Sequence, residues 1–143
     1  MKKYAISSLV YAILAAVGGV FYREFTKGFA FTGKTTLGVV HTHYFALGMI
    51  FFLLLLLLLE KSFAFSNKKT NYLFISYHVG LNLTAIMFFV RGILQVLNTS
   101  MTNGMDMMIS GIAGIGHIIL GVTLILILVQ IVMTVIKSKK TEA

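Results

Sequence analysis

The chain has 143 residues, 58% of them hydrophobic and 11% charged, with a net charge of +8 and a mean hydropathy of +0.93. A soluble globular domain carries about 45–50% apolar and about 25% charged residues, so that class is excluded, and a disordered chain more firmly still. The absence of Cys removes disulfide frameworks, thiolate nucleophiles, zinc–thiolate sites, iron–sulfur clusters and thioether-attached haem. Pro and Trp are also absent, so Tyr and Phe must serve at the membrane interfaces and the helices should run fairly straight.

The first apolar stretch covers residues 4–22. Its start, Met1-Lys2-Lys3 followed by an apolar run and Ala16-Val17-Gly18, has the outline of a signal peptide. Cleavage would leave three spans, and an uncleaved first helix is the expectation. The next connection, Gly28-Phe29-Ala30-Phe31-Thr32-Gly33-Lys34-Thr35, satisfies G-x-x-x-x-G-K-[ST]. A phosphate-cradling loop needs a buried strand before it and an acidic magnesium partner. This copy follows a membrane helix and has only Glu24 nearby, so it reads as a loop whose Thr35 or Thr36 caps the second helix, with no nucleotide bound.

The second stretch, residues 37–59, ends in seven consecutive Leu; the third covers 72–97 and the fourth 108–136. Each is long enough to cross a hydrocarbon core of roughly 30 Å at about 1.5 Å per residue. Backbone groups in lipid must be satisfied internally, and none of the four alternates like a barrel strand. The chain therefore predicts one all-α membrane domain over 1–143, an up-down-up-down bundle of four transmembrane helices in a bacterial cell membrane. Eight of the twelve Lys and Arg (Lys2, Lys3, Lys61, Lys68, Lys69, Lys137, Lys139, Lys140) fall on one side, against Arg23, Lys27 and Lys34 on the other. The positive-inside rule then places both termini and the 60–71 loop in the cytoplasm. The positive charge is a topology signal and an attraction to anionic lipid, not a nucleic-acid surface.

Four histidines lie inside the spans: His41 and His43 in the second, His78 in the third and His117 in the fourth. Ionisable groups in a bilayer are costly and face the bundle interior, and neutral imidazole ligates haem iron, zinc and copper. His41 and His117 can lie at similar depth on diagonal helices, on the order of 12–14 Å apart at axis spacings of 8–10 Å. That gap suits an iron between two imidazoles better than a compact zinc site. Gly38 shares a face with His41, and Gly111, Gly114 and Gly121 share one with His117, so a flat macrocycle could approach both backbones. His43 points about 200° away from His41 and is left for a weaker second site with His78.

The stretch Leu37-Gly38-Val39-Val40-His41-Thr42-His43-Tyr44-Phe45-Ala46-Leu47-Gly48 resembles the His-bearing helices of haem–copper oxidase subunit I. The whole chain resembles a small bacterial family of four-helix membrane proteins with no established activity. The oxidase resemblance implies His41 as a b-type haem ligand. It does not extend to oxygen reduction, because the chain lacks the length and most of the His residues of an oxidase core.

Arg91, inside the third span, is the first candidate to pair with haem propionates, and Lys34 the second. The expectation is a haem b protein, with one haem or two, acting in electron transfer or haem handling beside a quinone, a redox partner or a second copy of itself. No catalytic constellation is present. A competing reading is copper transfer, since Met101, Met105, Met107 and Met108 cluster in one connection and thioethers favour Cu(I). A third is a structural subunit of a larger membrane complex.

Overall fold

The computed structural model describes residues 2–60 and 68–141. They form α1 (Lys2–Gly28), α2 (Leu37–His43), a π-helical segment (Tyr44–Ile50), α3 (Phe51–Glu60), α4 (Lys68–Val96) and α5 (Asn103–Thr141). There is no strand among the described residues. The α2, π and α3 segments run on as one second span, so four helices are long and apolar enough to cross a membrane. Most of the 60–71 loop lies outside the described residues.

The helices overrun the apolar stretches because helical hydrogen bonding continues into the polar interface. The α1 and α4 helices stop in the same way. Phe31 N–H reaches back to Thr26 O at 2.9 Å and Ala30 N–H to Lys27 O at 3.1 Å, with Ala30 at a φ of 49°. Thr99 N–H and Asn98 N–H repeat the pattern on Leu94 O and Gln95 O at 3.0 and 3.2 Å, with Asn98 at 48°. Both are left-handed caps that satisfy the last carbonyls of a helix.

Of the two expected caps, Thr35 Oγ1 accepts from Leu37 N–H, the first amide of α2, at 3.3 Å, whereas Thr36 makes no side-chain cap and has a helical φ and ψ. Thr35 Oγ1 also donates to Gly92 O at 3.0 Å and Thr36 Oγ1 to Phe88 O at 2.7 Å, while Thr36 N–H donates to Gln95 Oε1 at 2.8 Å. The connection is thus stapled to α4, and Phe31 folds over Gly33.

The second span packs on both α1 and α4, and α5 packs on α4. Ser8 meets Met49, Tyr11 meets Gly48, and Gly18 meets His41, so α1 and the second span run in opposite directions. Thr70 meets Gln130, Gly80 meets Leu120, and Arg91 meets Asp106, which does the same for α4 and α5. Lipid offers no hydrophobic drive between helices, and small residues let backbones approach closely enough for dispersion to hold them. A Cβ on Gly80 would stand 2.6 Å from the Leu120 amide nitrogen, and one on Gly116 would stand 2.7 Å from Thr84 Oγ1. Gly92 admits the Leu37 backbone in the same way, and Gly48 admits the Tyr11 ring.

The filled half of the bundle is aromatic. Tyr4, Tyr11, Phe52, Phe74 and Tyr77 are all buried, with Tyr4 edge-on to Phe74 at 5.0 Å and Tyr11 stacked on Phe52 at 5.8 Å. Gly80→Ile should therefore destabilise the bundle by about 2 kcal/mol, an overpacking cost. Gly111→Ile, at a position with nothing within 4 Å, should stay near wild type. Unfolding of both variants in detergent micelles checks this, and equal stabilities would mean the α4–α5 contact yields freely.

Candidate functional site

The four histidines fall into three different surroundings. His78 belongs to a polar cluster inside the aromatic half. Asn82 Nδ2 donates to the His78 carbonyl at 2.8 Å and to Tyr11 Oη at 3.0 Å, which fixes the amide orientation. Tyr44 Oη donates to Asn82 Oδ1 at 3.2 Å. Tyr11 Oη is hydrogen-bonded to His78 Nδ1, 2.6 Å away. The other ring nitrogen, Nε2, faces Ser7 Oγ at 3.5 Å. Phe52 stacks on the imidazole at 4.7 Å.

His43 and His117 meet between α2 and α5. Their ring centres are 6.3 Å apart and nearly perpendicular, at 84°. Each Nδ1–H donates to a carbonyl four residues back in its own helix, His43 to Val39 at 3.0 Å and His117 to Ala113 at 2.8 Å. Both Nε2 atoms are left as lone-pair carriers. Phe88 lies against both rings, at 5.0 Å from His43 and 5.3 Å from His117.

His41 faces the other way, toward α1. A Cβ added at Gly19 would stand 3.7 Å from His41 Cγ and one at Gly18 would stand 3.7 Å from His41 Cβ, and the His41 ring stacks on Tyr22 at 6.3 Å. Of the four histidines it alone has an Nδ1 with no hydrogen-bond partner, and that atom is buried. His41 also lines a groove of about 520 Å³ between α1 and the second span. Ala12, Ala15, Ala16, Gly19 and Val20 form the α1 wall, and Phe45 and Met49 stand beside His41 on the other.

The structure therefore does not bring together the residues expected to act together. The expected axial pair was His41 and His117, but His117 meets His43, because a two-residue step turns His41 about 200° away on its helix. The second site expected from His43 and His78 does not form either. His43 sits level with Phe88, ten residues along α4 from His78, or about 15 Å of helix rise. Gly38 lies under the Tyr22 ring, whose nearest atom would be 3.4 Å from a Cβ there. Gly111, Gly114 and Gly121 border open space on the outer face of α5. The glycines that admit close approach are Gly116 on α5, one position from His117, and Gly80 and Gly92 on α4.

Arg91 has its own partner. Its guanidinium donates to the Asp106 carboxylate and to Ser110 Oγ, the latter at 2.7 Å. Asp106 precedes the fourth apolar stretch, which begins at residue 108, so hydropathy alone gives no sign that it belongs to α5. Lys34 is exposed. Among the described residues no group of three or more His, Asp or Glu side chains could hold a metal ion.

Tyr11→Phe removes the hydrogen-bond partner of His78 Nδ1 and the acceptor for Asn82 Nδ2 together. Leaving buried groups unsatisfied costs about 1–3 kcal/mol, and that loss is expected in micelle unfolding. Tyr22→Phe is the control, since its hydroxyl makes no hydrogen bond among the described residues, and it should unfold like wild type.

A family model described as "Protein of unknown function (DUF2871)" matches residues 1–134. No curated protein and no solved structure matches the chain. The match carries no link to haem–copper oxidases.

Proposed function

We propose that this chain, which belongs to the DUF2871 family, is a multi-pass membrane protein that holds one b-type haem in the groove between α1 and the second span. His41 would hold its iron, and its task would be electron transfer or haem handling. The supporting observation is a single imidazole, His41, on the wall of an otherwise apolar groove of about 520 Å³. Cofactor sites are apolar clefts of about 300–1,000 Å³ with a few placed polar groups. The Ala12, Ala15, Ala16 and Gly19 wall is flat enough for a planar macrocycle, and a larger side chain there would fill the space. When bound, haem supplies reversible one-electron chemistry at iron, and a single His is sufficient to hold it.

A haem does not fit between His43 and His117. Triangulating the three ring distances puts Phe88 about 4 Å off the line joining the two imidazole centres, close to its midpoint. That position falls within the radius of a porphyrin ring.

Propionates need a cation at the polar end of the groove. Arg91 is committed to Asp106. Arg23 continues the Ala12, Ala16, Gly19 stripe of α1 by one turn, and its weak contact with Glu24 at 3.8 Å leaves it 80% exposed. Arg23 takes the role assigned to Arg91, with Lys34 still in second place.

Titration of the purified protein with haemin should give a Soret band and, on dithionite reduction, α and β bands. His41→Ala should weaken haem binding at least tenfold, and Ala16→Leu should do so without removing a ligand. Arg23→Gln should weaken it less, while Arg91→Gln leaves it unchanged. A wild-type protein that takes up no haem, or an unaffected His41→Ala variant, would sink the proposal.

The charge asymmetry supports both termini facing the cytoplasm. Because the chain has no Cys, single substitutions test this cleanly. A membrane-impermeant thiol reagent added to whole cells should label Lys27→Cys and not Ser66→Cys, and the reverse pattern inverts the topology.

A further inference from the structure

The pair formed by His43 and His117 has no part in holding haem, and its ring spacing of 6.3 Å is wide enough for one small ion between two imidazoles. We propose that His43 and His117 form a two-coordinate Cu(I) site inside the membrane domain, separate from the His41 groove.

The distance is the first support. The ligating nitrogen lies about 1.2 Å from the imidazole centre, and a metal–imidazole bond is about 2.0 Å. Two rings bound in line to one ion therefore have centres about 6.4 Å apart. The observed separation is 6.3 Å. That spacing admits one small ion on the line between the rings, with Phe88 beside it at 5.0 and 5.3 Å from the two ring centres.

The second support is the tautomer. A metal-bound His usually donates its other N–H to a carboxylate, a carbonyl or water, which fixes the ring and raises its basicity. Here both Nδ1–H groups are taken by backbone carbonyls, Val39 and Ala113. Both Nε2 lone pairs are thereby presented as neutral ligands with no proton to displace.

The ion is selected by ligand number and charge. Zinc takes four ligands in closed sites and three plus water in open ones. Among the described residues no third His, Asp or Glu joins the pair. Cu(I), a d¹⁰ monocation, is satisfied by two nitrogens in line. Desolvation cost rises with the square of the charge, so a monocation between neutral imidazoles is also the cheapest ion to hold in low dielectric. Phe88 blocks a macrocycle from this axis but leaves room for a bare ion, which divides the labour between the two sites.

The test is Cu(I) binding by the full chain in nanodiscs, in competition with a colorimetric Cu(I) chelator, with X-ray absorption of the loaded protein. The wild type should bind one Cu(I) per chain with two nitrogen ligands showing the multiple-scattering pattern of imidazole. His117→Ala should lose binding at least a hundredfold. His117 is exposed, so that variant keeps its packing, and an unchanged unfolding midpoint verifies this. His43→Ala should match it. His41→Ala and the triple variant Met105→Leu, Met107→Leu, Met108→Leu should bind as wild type does. Absence of Cu(I) binding by the wild type, survival of binding in His117→Ala, a sulfur ligand shell, or preference for Zn(II) over Cu(I) at this pair would each overturn the proposal.

Discussion

Close backbone approach at glycine is the constraint on which the bundle depends. In lipid, helices gain little by hiding apolar surface from one another, because the solvent is as apolar as they are. What remains is dispersion, which falls off within a fraction of an ångström, and hydrogen bonding. Gly80 and Gly116 stand on opposite sides of the α4–α5 seam, one receiving the Leu120 backbone and the other Thr84. The contact leaves Thr84 Oγ1 buried without a partner, so packing there outweighs one unsatisfied hydroxyl, a penalty of about 1–3 kcal/mol. Gly92 does for the second span and α4 what Gly80 does for the α4–α5 pair. With α4 fixed against both neighbours, everything His43, His78 and His117 touch is set by where those glycines fall.

The two ends of the bundle are built on opposite plans. Near the start of α1, rings from Tyr4, Tyr11, Phe52, Phe74 and Tyr77 fill the interior; Asn82 joins the hydroxyls of Tyr11 and Tyr44, and Tyr4 Oη is buried without a partner. Further along α1 the side chains shrink to Ala12, Ala15, Ala16, Gly18 and Gly19, and a groove opens beside His41. The residues that could do chemistry occur in this second half. A histidine buried among fully engaged partners, as His78 is with Tyr11 and Phe52, has nothing to offer a ligand. One beside small residues, with its hydrogen bonding incomplete, does.

The spans were legible because twenty or so apolar residues in a row admit few alternatives in an all-helical chain. The four histidines were legible as unusual for the same reason: each costs free energy in lipid unless something engages it. Their partners were not legible. His41 and His43 are told apart only by which helix lies on each side, and α1, the element facing His41, carries no His to announce it. The glycine face of α5 misleads since Gly111, Gly114 and Gly121 share the helical period of His117, whereas the contact is made by Gly116, one residue away. Periodicity finds a face but not what covers it. Asp106 is hidden because an apolar window excludes a carboxylate, although α5 starts before the apolar run does and carries that carboxylate to Arg91.

One departure from regular helix ties these parts together. The second span contains no Pro, yet it widens into π-helix over Tyr44–Ile50. Such a turn loosens the regular i→i−4 ladder and needs outside help, or a bend at Pro or Gly, to persist. The help comes from two neighbours: Ser8 Oγ donates to Met49 O at 3.0 Å and Tyr77 Oη to Leu47 O at 2.8 Å. Those hydroxyls belong to α1 and α4, the helices that flank the span. Gly48 sits in the same turn and accepts the Tyr11 ring, which in turn holds His78. A wider turn also rotates α2, on its N-terminal side, relative to α3 on its C-terminal side. It lets Tyr44 and Phe52 face the aromatic core while His41 looks into the α1 groove and His43 toward His117. A regular helix of the same sequence would have to give up one of those alignments. The π turn is therefore the joint between the packed half of the bundle and the half that carries the histidines with free nitrogens.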